Sequence, residues 1–326
     1  MISVSLLASA VLVGCGGGGA DAIAAQSLSG SAVKGPISDA NITLWDANRT
    51  LIASTLSTGG TFSFPTMALD SDYYVLESKG GWYTDEATKA NVTMTDAQGL
   101  STLVSKAELQ SMFSTGTYAA LTPETTIYTQ LVENLLDDNV TLSDVQTQVK
   151  DLITKVMIEG TSPLSVLPGD AFLMQGDLTS PFPKNQTEAF ARNRSISMSY
   201  MTRDLGLAAE RVFDLITAIV EDLKDGTSDG ISIDAQLDLN VTEEFGLARA
   251  KLFQDTTTKL RNGELSDAQK EELRLMGFDV DAFAGSLADD QAILDAEVAT
   301  YLASDTLPTL HVLDTLIDED GNNTDG

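Results

Sequence analysis

The chain has 326 residues, with 48 acidic and 19 basic side chains, a net charge of −29 and a single cysteine. That acid excess excludes a nucleic-acid partner, because phosphate backbones are held by basic patches. With one Cys no internal disulfide can form, so the fold rests on its core, and roughly 300 residues suit two domains of ordinary size. The charge is uneven: residues 1–120 carry 10 acidic and 5 basic side chains, and residues 121–326 carry 38 and 14.

Residues 2–13, ISVSLLASAVLV, are apolar or small and uncharged, with no Lys or Arg before them. The run is shorter than the roughly 20 residues of a spanning helix and reads as a signal-peptide core. Leu12-Val13-Gly14-Cys15 closes it, and residues 16–19 are all glycine. A structural cysteine is the other reading, but a thiol in front of four glycines has no core to enter. The four residues resemble the lipobox of bacterial lipoproteins. The resemblance implies a signal peptide over 1–14 and Cys15 as the acylated first residue of the mature chain. Gly16 in place of Asp implies the outer membrane, lipid-anchored, with the cell surface as a further destination. Residues 15–25 then form a flexible tether, held by acyl chains at about 0.8 kcal/mol per buried methylene.

Between residues 26 and 95 the apolar pattern has period two. NITLWD sets Ile42 and Leu44 against Thr43 and Trp45, TFSFP alternates Phe62 and Phe64, and YYVLES and NVTMT follow suit. Turn-forming stretches such as KGPISDA, DANRT and STGG divide these runs, so short antiparallel strands in a small β-sandwich are expected. Gly35-Pro36-Ile37, Ala40 before the strand 41–44, and Gly60-x-Phe62-x-Phe64 before Tyr74-Val75-Leu76 resemble the carboxypeptidase regulatory-like domain. That resemblance implies an Ig/transthyretin-like sandwich without implying peptidase activity. GGWYTDEAT (80–88) and ALTPETT (120–126) resemble an arrangement in bacterial surface lipoproteins, where such a domain precedes a long, uncharacterised helical region. Related adhesin sandwiches join a Lys to an Asn beside a buried carboxylate. Lys34, Glu77 and Asn91 have those types in that order, the alternative being a turn lysine and an exposed asparagine. Trp45, Trp82 and Tyr83 are candidates for stacking on a sugar or a partner, or else for completing the core.

Residues 96–120 read as a linker. From 121 to 313 the period becomes 3.6, and a bundle of five to seven helices is expected. Thr122 is an N-cap with Pro123 at the first helical position and Glu124 near the positive dipole end. Tyr128, Leu131, Val132, Leu135 and Leu136 share a face behind it. Ser143 and Gln146 suit a capping box, with Val145, Val149, Leu152, Ile153 and Val156 as the stripe that follows. Residues 161–186 hold four of the eight prolines and break the helices, with Phe172, Leu173 and Phe182 packing over the core. The longest helix is expected next, with a seam of Leu205, Ala209, Val212, Ile216, Ile219 and Leu223. Further helices fit 242–262, 266–276, where Ser266 and Gln269 form another capping box, and 286–303.

Chemistry is sparse. His311 is the only histidine, so a zinc site lacks ligands. A Ser-His-Asp triad would have to use His311, and no Gly-x-Ser-x-Gly elbow is present. Adjacent carboxylates such as Asp137-Asp138 and Asp289-Asp290 do not face each other on a helix. The tail 314–326 is the best metal candidate: Asp318, Asp320, Asn322 and Asp325 are hard oxygen ligands around Gly321. They partly resemble a calcium loop, without the first ligand or closing Glu of an EF-hand. Calcium at this loop is one reading and a frayed acidic tail the other; no other cofactor is expected. The sequence thus describes an α+β multidomain protein, a β-sandwich followed by an acidic α-helical bundle. It is anchored to a membrane through lipid, with a protein or glycan partner. The expected role is a structural or adhesive scaffold without catalysis, followed by a glycan- or peptide-binding module and then a carboxylate-based hydrolase.

Overall fold

The computed structural model describes residues 27–136, 140–153, 178–179, 183–224, 248, 251–252, 254–256, 258–260, 262–276 and 280. The chain is α+β. Strands β1 (Leu28–Ala32), β2 (Asn41–Asp46), β3 (Leu51–Leu56), β4 (Thr61–Phe64), β5 (Tyr73–Lys79), β6 (Trp82–Thr84), β7 (Asn91–Thr93) and β8 (Gly99–Ser105) come first. Helix α1 (Lys106–Thr115) and strand β9 (Ala119–Leu121) follow, then helices α2 (Pro123–Leu135), α3 (Leu142–Ile153), α4 (Gln186–Asp204), α5 (Val212–Leu223) and α6 (Asp267–Leu275).

The strands form a four-stranded antiparallel sheet in the order β3-β2-β5-β8, a three-stranded sheet β4-β1-β9 and the hairpin β6-β7. Alternation sets the pleat: in β4, Phe62 and Phe64 are buried while Ser63 faces out. The segment 96–120, expected to be a linker, instead holds β8, α1 and the start of β9. β8 pairs with β5 along seven residues, from Tyr73–Ser105 to Lys79–Gly99, and β9 runs parallel to β1. GLSTLVS escaped recognition because it does not alternate: Leu100, Thr102, Leu103 and Val104 are all buried. α1 opens with a capping box in which Ser105 and Glu108 satisfy each other's backbone N–H.

One continuous core runs from the sheets into the helices, joining Leu44, Phe64 and Leu76 to Leu131, Val149 and Ile219. No break in packing falls between residues 95 and 121, because β8 and β9 carry the chain back into both sheets. α2 begins as expected, with Thr122 as N-cap and Pro123 in the first turn. Its threonines also cover the outer edge of β8: the Thr125 hydroxyl donates to the Ser101 carbonyl (2.7 Å), and the Ser101 N–H donates to Thr126 Oγ1 (2.9 Å). Tyr128, Leu131 and Val132 are buried as expected, whereas Leu135 is exposed.

Two helical expectations change. Residue Thr141, not Ser143, caps α3, accepting from the Asp144 N–H (3.2 Å) while its own hydroxyl donates to the Asp144 carboxylate (2.7 Å). The seam from Leu205 to Leu223 is not one helix. Gly206 takes a left-handed φ of 69°, and the N–H groups of Gly206 and Leu207 return to the carbonyls of Arg203 and Thr202. That is a Schellman stop. A 3-10 turn, Ala209–Arg211, then leads into α5. α6 starts at Ser266 with its capping box to Gln269, as expected. Cys15, His311, Phe172, Leu173, Phe182, the expected helix 286–303 and the tail with Asp318, Asp320, Asn322 and Asp325 lie outside the described residues. Among the described residues no helix is long and apolar enough to cross a membrane.

Candidate functional site

A buried polar cluster grows from Lys34, two residues after β1. Its side chain is fully buried. An ammonium group has three donors, and three acceptors meet it: Asp85 Oδ2 at 3.3 Å, Glu86 Oε2 at 3.0 Å, and Ser199 Oγ of α4. The Ser199 hydroxyl in turn donates to Glu86 Oε2 (2.7 Å), and the Gly35 N–H donates to Glu86 Oε1 (2.6 Å). The Tyr83 ring lies 5.7 Å from the Lys34 nitrogen, within reach of a cation–π contact.

Local sequence explains the placement. Gly35 has φ 67°, and a Cβ there would sit 2.3 Å from the Thr84 carbonyl oxygen, so only glycine lets the backbone turn this close to β6. Asp85 opens the turn after β6: its Oδ1 accepts from the Thr88 N–H and hydroxyl (both 2.8 Å) and the Ala87 N–H (3.2 Å). This is the Asx geometry of a tight turn. Burial alone pushes the Asp85 carboxyl up, but the Lys34 charge and the Thr88 donors outweigh it and hold it below the ordinary range.

A serine beside a lysine is a pairing that can generate a nucleophile when the amine is free to take the hydroxyl proton. Here the amine donates to two carboxylates and the serine proton points to Glu86. The cluster therefore fixes charge and geometry and binds α4 to the sheets. It also overturns the Lys34-Glu77-Asn91 arrangement. Glu77 is held by Arg49 (2.7 Å), which also pairs with Glu133 of α2. Asn91 is exposed and accepts from the Thr84 hydroxyl (2.9 Å). An ionised Asp85 is the opposite of what amide formation with Lys34 would need.

The aromatic candidates do not form one surface. Trp82 is 43% exposed and its indole N–H donates to Asp39 Oδ2 (3.0 Å), whereas Tyr83, next along β6, is fully buried. Successive strand residues face opposite ways. The Tyr83 hydroxyl donates to the Ala209 carbonyl (3.2 Å), and burial, with Asp85 and Glu86 adding to it, pushes that phenol far up. Tyr83 is thus a core residue and not a stacking platform. Trp45 is half-buried, bonded to Thr43 (2.9 Å), and pairs with Val75, whereas Trp82 bridges Ser38 beyond the other end of β2.

Beside the Lys34 cluster a cleft of about 270 Å³ opens between α4, the helical residues Leu252, Thr256 and Lys259, α6 and the turn after β6. Glu86 reaches it from the cluster, and Lys89, Arg192, Lys259 and Glu272 stand around it. Arg192 Nε donates to Glu272 (3.2 Å). Leu252, Leu273 and Met276 supply an apolar wall. Tyr200 also lines it; burial and a hydrogen bond to Asp255 (2.9 Å) raise its phenol to about 12. Sequence reading missed this cleft, because its parts lie up to 190 residues apart and none forms a motif.

A different surface lies at the far edge of the four-stranded sheet. β3, LIASTL, is an outer strand without a charged residue, and Leu51, Ile52 and Leu56 are 50%, 40% and 64% exposed. The opposite edge, β8, is covered by α2. No group of three or more His, Cys, Asp or Glu that could hold a metal occurs among the described residues. No family model, no curated protein and no solved structure matches this chain.

Proposed function

We propose that the chain is a lipid-anchored protein of the bacterial outer membrane with a structural or adhesive role and no catalytic one. In this reading an Ig/transthyretin-like sandwich stands near the anchor, with an acidic helical bundle packed on it. Cys15 supplies the acylation site and residues 16–25 the tether. The observation that carries the role is the β3 edge, which no element among the described residues pairs with on its outer side. Outer strands are normally guarded by charge, proline, a bulge or a covering element, since unpaired backbone groups recruit other strands. β3 carries no charge and no proline; its pairing with β2 shifts register once, between Leu44 and Trp45, and the strand exposes three large aliphatic side chains along an otherwise acidic protein. Its occupant is an extended segment of a basic partner protein: the net charge of −29 opposes a second copy and attracts cations. Pairing would follow strand addition, with the backbone giving affinity and the aliphatic side chains specificity.

The test compares cells carrying the wild-type chain, a deletion, and the double substitution Leu51→Lys and Leu56→Lys, scored by attachment and cell–cell aggregation. The reading expects the double variant, present in equal amount, to fall to the level of the deletion. Attachment equal in wild type and deletion would defeat it, as would an unaltered double variant.

A further inference from the structure

The cleft beside the Lys34 cluster is separate from the β3 edge and stands whether or not the scaffold role does. We propose that it is a binding site for a small organic carboxylate with an apolar body.

Its charge is the first reason. Both carboxylates in the cleft are engaged, Glu86 by Lys34, Gly35 and Ser199, and Glu272 by Arg192. Lys89 and Lys259 are exposed, and neither has a carboxylate partner among the described residues. In a chain with 48 acidic and 19 basic side chains, a lining of three basic and two acidic side chains, with two of the cations lacking a carboxylate partner among the described residues, forms a local cationic spot on an anionic molecule. Such a spot attracts and orients an anion that the rest of the surface repels.

Preorganisation is the second reason. Lys89 sits at φ 61°, with its N–H on the Asp85 carbonyl (2.9 Å). The turn that holds it is pinned by the buried Asp85 side chain, which Lys34 holds in turn. The core thus fixes the backbone from which one of the two lysines reaches the cleft, which limits the ordering cost of binding to that side chain.

Size and polarity set the class. About 270 Å³ lies just below the roughly 300–1,000 Å³ usual for ligand sites, so the ligand is small. An inorganic anion would leave the wall of Leu252, Leu273 and Met276 unused. A carboxylate head against Lys89 and Lys259, with an apolar body on that wall, satisfies both halves of the cleft.

The test is calorimetric titration of the purified full chain at low salt with phenylacetate, octanoate, glucuronate and inorganic phosphate. Phenylacetate or octanoate should bind at least tenfold more tightly than phosphate. Lys89→Gln with Lys259→Gln, both exposed and therefore compatible with folding, should weaken that binding tenfold or more. Leu273→Asn should weaken phenylacetate while leaving phosphate within twofold. Absence of carboxylate binding below 10 mM ligand (roughly the weak limit for a specific small-molecule site) would overturn the proposal. So would affinity for phosphate equal to that for phenylacetate, or affinity unchanged in the double lysine variant.

Discussion

Replacing Lys34 with methionine keeps the stem that fills the core and removes only the charged end. Lys34 is fully buried and Asp85 is nearly so, at 0% and 2% side-chain exposure, while Glu86 retains 19%. In Lys34→Met, Glu86 can be hydrated in part. Asp85 cannot: its Oδ1 keeps the Thr88 and Ala87 donors, but its Oδ2 loses the ammonium. Breaking a buried pair from one side costs about 3–5 kcal/mol, because an uncompensated charge remains. For a folded unit of this size that corresponds to a fall in Tm of roughly 6–20 °C. Urea denaturation of the single variants Lys34→Met and Asp85→Asn and of the double variant measures the coupling. The double variant should regain more than half of the Lys34→Met loss, since the orphaned charge has gone. A Lys34→Met loss below about 1 kcal/mol, or a double variant whose loss equals the sum of the singles, would show that the cluster is not the lock described.

Three further outcomes follow from the same geometry. Gly35→Ala forces a Cβ to 2.3 Å from the Thr84 oxygen at φ 67°. It should cost at least about 1–2 kcal/mol in urea denaturation, and a change under about 0.5 kcal/mol would remove the steric argument. Because the Asp85 carboxyl is held below its ordinary value, its contribution is present above about pH 4 and is lost as pH falls through the folded-state value. The stability gap between wild type and Asp85→Asn should therefore be flat from pH 7 to about 5 and close towards pH 3. A gap that widens in acid would contradict the assignment. Tyr83→Phe removes one hydrogen bond to the Ala209 carbonyl and should cost about 1 kcal/mol, with the largest rise in hydrogen exchange around residues 209–212; exchange unchanged there would mean that this bond does not hold the turn.

The parts of the fold legible in sequence were those that one periodicity governs. β4 alternates, β2 and β5 bury three consecutive residues each but are bounded by turn-forming stretches, and the N-caps of α2 and α6 stand as Thr122 and Ser266 in plain view. β8 was hidden because both of its faces are covered, which erases alternation. β9 is three residues long and pairs in parallel with β1, almost 90 positions earlier, so no local pattern announces it. The break at Gly206 was legible in principle; the heptad-like spacing of Leu205 to Leu223 masked it. At the site, Lys34-Gly35-Pro36 was visible as a turn. The burial of Lys34 was not, because it depends on Asp85, Glu86 and Ser199, which lie 51, 52 and 165 positions away. Tyr83 stayed open between stacking and core for a related reason: its neighbour Trp82 faces outward, and sequence alone does not say which of two adjacent aromatics a strand turns in.

The central claim, an anchored protein presented outward, is tested most directly by shaving intact cells with protease and probing membrane and medium for the folded region, beside Cys15→Ala. The wild-type chain should sediment with the outer membrane and be cleaved on intact cells, while Cys15→Ala should leave the membrane fraction. Protection of the wild type until the outer membrane is breached, or retention of Cys15→Ala in the membrane, would contradict it.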